Sequence, residues 1–96
     1  MEELNNIIHQ PIRLKIMVLL HSDKSITFSQ LKKELDLSDG NLWTHLEKLE
    51  KAWYIRITKS FVSKKPQTTI EIEILGEKEL WIYISLIEEM IKGVER

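Results

Sequence analysis

The sequence predicts one mostly helical α+β domain, with three short helices, a β-hairpin and a long terminal helix. Three observations carry that expectation. Apolar residues recur at about 3.6-residue spacing in three successive stretches before Ala52. The period then falls to about 2 between Tyr54 and Ile74. Helical spacing returns from Leu80 to Val94. With 96 residues, the chain is short enough that one core is expected over 1–96, with 10–75 forming the helices and hairpin and 76–96 the terminal helix.

Each element has its own local reason. Pro11 suits the first turn of a helix, where its missing N–H would have no partner, and Ile12, Ile16, Leu19 and Leu20 continue that helix to about His21. Leu4, Ile7 and Ile8 suggest a short helix before it. Ile26 suits a short strand, and Thr27 with Gln30 matches a capping box that opens a second helix, which runs to about Leu35 and buries Phe28, Leu31 and Leu35. Asp36 and Leu37 form a tight turn. Ser38 is a good N-cap for a third helix, about 38–52, with Leu42, Leu46 and Leu49 on its inner face.

Beyond Ala52, Ile55, Ile57 and Phe61 fall on one side of a strand, with Tyr54, Arg56 and Thr58 on the other. A return strand over Thr69–Ile74 alternates Ile70, Ile72 and Ile74 with acids, and the segment between, Val62 to Thr68, makes a basic tip. Gly76 reads as a break before a helix from about Glu77 to Val94.

Composition excludes several functions. The chain has no cysteine, which removes disulfides, thiolate nucleophiles, zinc ribbons and iron–sulfur clusters. His9, His21 and His45 have no metal-site spacing, there is no glycine-rich phosphate loop, and no nucleophile–base set can be assembled, so neither an enzyme nor a metal or cofactor is expected. Glu2 and Glu3 stand where a basic leader would begin, and no apolar run approaches the length of about 18 residues that a membrane span needs; a cytoplasmic protein without a membrane partner is expected. Net charge is −1, but residues 1–70 hold 11 basic and 8 acidic side chains while residues 71–96 hold 3 and 7. Two faces with different partners follow.

The order helix, helix, turn, helix, basic hairpin, long helix resembles winged helix-turn-helix transcriptional regulators of the ArsR/MarR kind, over roughly residues 10–83. The most specific stretch runs from Leu37-Ser38-Asp39-Gly40-Asn41-Leu42-Trp43-Thr44-His45 through Lys51-Ala52-Trp53 into Tyr54-Ile55. The resemblance implies that this stretch is the recognition helix and that Lys59 to about Thr68 is the wing. It implies a homodimer that binds double-stranded DNA to regulate transcription, the helix in the major groove and the wing on the backbone or minor groove. Trp53 departs from the pattern, standing where relatives usually carry a glycine in left-handed conformation. An aromatic residue there costs roughly 1 kcal/mol or more relative to glycine, which leaves the turn free to take another geometry.

The residues support the same reading. With Leu42, Leu46 and Leu49 inward, Ser38, Asp39, Gly40, Asn41, Trp43, Thr44, His45 and Lys48 occupy the start and outer face of the third helix. Ser38 and Thr44 can donate to phosphate, Asn41 can pair with adenine, and His45 can donate to either. Trp43 is a candidate DNA contact as well, with packing against the second helix the favoured role. Arg56, Lys59, Lys64 and Lys65 lie in a stretch without an acid, suited first to phosphate contact and only secondly to guarding a sheet edge. Arg13, Lys15, Lys32 and Lys33 are weaker candidates. Leu80, Tyr83, Ile84, Ile87, Met90, Ile91 and Val94 are the expected dimer interface, although part of this helix must cover the domain's own core. Two alternatives remain: a protein-interaction module, favoured if acids such as Glu47 interrupt the basic surface, and a small-molecule sensor, for which no residue identifies a ligand.

Overall fold

The structure is a computed structural model that describes residues 3–95; Glu2, read above as part of an acidic N-terminus, lies outside them. Its elements are α1 (Pro11–Asp23), β1 (Ser25–Thr27), α2 (Phe28–Leu35), α3 (Asp39–Lys51), β2 (Ile55–Val62), β3 (Lys65–Ile72) and α4 (Ile74–Glu95). The three strands form an antiparallel sheet in the order β1-β3-β2. The helical and hairpin order is the expected one. Residues 4–10, however, form a turn rather than a helix: the Asn5 side chain accepts from the N–H groups of Ile7 and Ile8 at 2.8 and 3.1 Å, satisfying the backbone locally. Ile8 is thereby delivered fully into the core.

Capping chemistry sets the helix starts. Gln10 caps α1 by accepting from Arg13 N–H at 2.8 Å, Thr27 and Gln30 form the reciprocal box at α2, and Ser38 accepts from Asn41 N–H at 3.2 Å at α3. The end of α3 is closed by Trp53 N–H to Glu50 O at 3.0 Å and Tyr54 N–H to Leu49 O at 3.1 Å, the two bonds of a Schellman motif. Trp53 takes the left-handed conformation itself, φ 65°. The turn therefore keeps the geometry usual for glycine despite the indole, which projects into solvent at 77 % exposure.

The core sits between α1, α3, α4 and the inner face of the sheet. Ile16, Met17 and Leu20 of α1, Leu31 of α2, Leu42, Leu46 and Leu49 of α3, Ile70 of β3 and Leu80 of α4 are all essentially inaccessible. Tyr54 is also buried, against its alternating position, because it precedes β2 and is covered by the N-terminal turn: Asn5 Nδ2 donates to its hydroxyl at 2.7 Å.

The hairpin differs from expectation in length. Strand pairing runs from Ile55 opposite Ile72 to Val62 opposite Lys65, leaving a two-residue turn at Ser63 and Lys64 with φ 52° and 66°. Positive φ at both positions is the type I′ pattern whose twist matches the flanking strands. Every residue from Thr58 to Val62 is exposed, so the hairpin projects about 16 Å past the core. Phe61, assigned to the same side of the strand as Ile55 and Ile57, has that parity but lies beyond the core's edge, 77 % exposed.

Gly76 is not a break. It lies in the first turn of α4, buried against the backbone of Tyr54, and the helix starts at Ile74 because Glu77 N–H already bonds Glu73 O at 2.9 Å. At 22 residues α4 is about 33 Å long and helps give the molecule its extents of 57 × 25 × 21 Å.

Candidate nucleic-acid interface

Burial of Leu42, Leu46 and Leu49 turns the opposite side of α3 to solvent, where Ser38, Asp39, Gly40, Asn41, Thr44 and Lys48 are all exposed. Nothing lies within 4 Å of where a Cβ on Gly40 would be, so this edge is open to an approaching surface. Ser38 Oγ accepts from Asn41 N–H and keeps its own proton to donate. Thr44 instead donates to Gly40 O at 2.9 Å, so its hydroxyl presents mainly lone pairs. Asp39 is paired with Lys32 at 2.9 Å across the turn, which offsets the one acid in the first turn of α3.

Two of the predicted contacts sit on the flanks of the helix. Trp43 stacks on Phe28 of α2, centroids 4.7 Å apart and planes at 26°, and Lys59 Nζ lies 5.5 Å from its ring centroid. The stack is the contact with the second helix that the sequence suggests. His45 is half-buried on the other flank, where Nη1 of Arg13 lies 3.2 Å from its Nδ1. Burial, followed by the nearby charges of Arg13 and Lys48, holds the imidazole below the usual histidine range. Arg13, one of the weaker candidates, is only 8 % exposed, with Nε donating to Ile7 O at 2.6 Å. Its spacing from Ile16, Met17 and Leu20 put it on the buried stripe of α1.

The four wing cations separate into three places. Lys64 and Lys65 stand exposed at the tip. Lys59 shares the inner face of β2 with Ile57 and lines a groove of about 470 Å³ with Trp43, Glu47 and Glu50. Arg56 points to the opposite face, where it meets Glu71 at 3.2 Å and Glu73 at 3.6 Å. The stretch that lacks acids in sequence thus receives them across the strand register, Arg56 standing directly opposite Glu71. Glu47 and Glu50 of α3 likewise bring acids to the groove that Lys59 lines.

On α4, Leu80 and Tyr83 are 1 % and 5 % exposed and belong to the chain's own core, with His9 Nδ1 2.8 Å from the Tyr83 hydroxyl. These two positions of the expected interface are therefore already covered. Ile84 and Ile87 are half-buried, while Met90, Ile91 and Val94 are 48, 51 and 85 % exposed. Glu3, Leu4 and Asn6 run beside the far half of α4 and form with Leu86, Glu89, Met90 and Gly93 a groove of about 940 Å³. Among the described residues, no group of three or more His, Cys, Asp or Glu is placed to hold a metal ion, and no helix is long and apolar enough to cross a membrane.

Residues 12–91 match the model of a winged helix DNA-binding domain. An uncharacterized protein of Methanocaldococcus jannaschii is 35 % identical over 89 residues, which span 93 % of this chain and 97 % of that protein. A transcriptional regulator homologue from Pyrococcus horikoshii has a solved structure that superposes with TM-score 0.89 at 33 % identity, over 96 % of this chain and 91 % of that one. An ArsR family transcriptional regulator shares the fold at TM-score 0.63 and 22 % identity, over 90 % and 84 % of the two chains.

Proposed function

Since the chain belongs to the winged helix DNA-binding domain family, we propose that it is a non-enzymatic transcriptional regulator that binds double-stranded DNA sequence-specifically as a homodimer. In this reading α3, with its flanking residues about 38–52, enters the major groove and the wing, about 59–68, rests on the backbone or in the minor groove. The observation that carries it is the open outer face of α3, where Gly40, Asn41, Thr44 and Lys48 stand exposed and unobstructed. Asn41 supplies the donor–acceptor pair that suits adenine, while Ser38, Lys48, Lys64 and Lys65 suit phosphate. Two-fold pairing through Met90, Ile91 and Val94, extended by the half-buried Ile84 and Ile87, would present two such helices to half-sites about 10 bp apart.

A second reading, a winged-helix module that binds protein, is favoured by Glu47 and Glu50, acids of α3 that line the groove beside Lys59. Anisotropy titration of a mixed duplex pool at two salt concentrations, with mass measured by light scattering, separates the two. DNA binding predicts saturable, salt-sensitive binding by a dimer. Lys64→Ala with Lys65→Ala should then weaken all sequences alike and lower the salt slope by about 2, whereas Asn41→Ala should change the preference among sequences. Absence of binding at low salt would favour the protein module.

A further inference from the structure

We infer that Arg13 is a positioning residue for the recognition helix: it holds His45 as a neutral imidazole whose Nε2–H faces outward as a hydrogen-bond donor to DNA. The inference rests on the DNA-binding reading for the identity of the acceptor, and on geometry for the state of the ring.

The guanidinium of Arg13 is fixed from two sides. Burial in the α1 stripe removes it from bulk water, and Nε is tied to Ile7 O at 2.6 Å. Its Nη1 then lies 3.2 Å from His45 Nδ1. A guanidinium has only N–H groups to offer and stays charged at any ordinary pH. Nδ1 must therefore accept, which leaves the single proton of the neutral ring on Nε2.

The charged groups acting on this ring are Arg13 from α1 and Lys48 from the next turn of α3, both cations, and burial works in the same direction. Protonation would aim an Nδ1–H at a fixed cation, so the neutral form is favoured and the midpoint is held below the ordinary histidine value of 6.5. The opposite edge is not sealed. Among the described residues no fully buried side-chain nitrogen or oxygen lacks a partner, and His45, half-buried, is bonded through Nδ1, so Nε2 keeps access to solvent. A neutral donor on α3 suits purine N7, guanine O6, thymine O4 or a phosphate oxygen. The neutral ring brings no charge of its own to the contact.

Long-range proton–nitrogen correlation NMR on the full chain tests the state of the ring directly. The expected spectrum has His45 as the Nε2–H tautomer with a midpoint below 6.5, and in Arg13→Met both tautomers appear and the midpoint rises. An Nδ1–H tautomer in the unaltered protein, or a midpoint at or above the ordinary value, overturns the inference even if Arg13→Met does not fold. For DNA, His45→Gln preserves an acceptor for Arg13 and an outward donor, and should bind within about threefold of the parent, whereas His45→Ala should lose about tenfold. A uniform loss over all duplexes assigns the acceptor to phosphate, and a loss confined to preferred duplexes assigns it to a base. Equal binding by His45→Ala overturns the donor role; a parent protein that binds no duplex overturns instead the DNA reading on which it rests.

Discussion

The backbone carbonyl of Tyr54 occupies the place where Gly76 would carry a side chain: a Cβ built on that glycine lies 2.1 Å from Tyr54 O. The same carbonyl accepts from Glu73 N–H at 2.9 Å, so it cannot swing aside without breaking the bond that precedes α4. Gly76→Ala should destabilise the fold by about 3 kcal/mol, at the upper end of the range for overpacking. Urea unfolding with an unchanged slope and a lowered midpoint would report it; an unchanged midpoint would show that the contact relaxes freely.

Trp53 predicts the opposite sign. Its left-handed backbone is strained for an aromatic residue, and its exposed indole leaves little apolar burial to lose. Trp53→Gly should stabilise the protein by about 1 kcal/mol, the left-handed penalty less the greater chain entropy of glycine in the unfolded state. A less stable variant would mean that the indole contributes packing that its exposure does not reveal.

Acid stability depends on Glu77. Its partial burial favours the neutral acid, but the hydrogen bond with His21, the charge of His21 and that of Lys24 at 3.5 Å outweigh this and hold the carboxyl below its ordinary 4.5. A depressed folded value means that the stabilisation is complete above 4.5 and is lost as pH falls through the lower folded value. Glu77→Gln should therefore be less stable than the parent at pH 7 and should show a shallower decline below pH 4.5, measured as thermal midpoints across the acid range.

On α4, core and proposed interface should separate by experiment. Leu80→Ala removes a fully packed side chain and should cost about 2–5 kcal/mol. Ile91→Glu with Val94→Glu should leave the far-UV spectrum unchanged and convert a dimer to a monomer by light scattering. A dimer that survives this double change would place the contact elsewhere.

The parts of this fold that local chemistry dictates were legible in the sequence. Thr27 with Gln30 and Ser38 announce their helices, and Leu42, Leu46 and Leu49 fix which side of α3 faces out. What the sequence concealed depends on distance along the chain. Alternation gives Phe61 its side of the strand but cannot say that the core ends near Ile57. The neutralisation of Arg56 needs the register that sets Glu71 opposite it. Arg13 stood on an apolar stripe, yet charge argued for solvent, and only the carbonyl of Ile7 and the ring of His45 reveal why it is tolerated inside. An α4 that is apolar on several faces gave no means of assigning Leu80 and Tyr83 to the chain's own interior.

The stack of Phe28 on Trp43, with Lys59 over the indole, joins α2, α3 and the root of the wing through side chains from all three. These contacts tie the base of the hairpin to α3. In the proposed docking mode the protein would work like calipers set at one opening: a duplex whose groove width does not match the gap between helix and hairpin would have to deform to touch both, and its stiffness would enter the affinity although no base at that position is contacted.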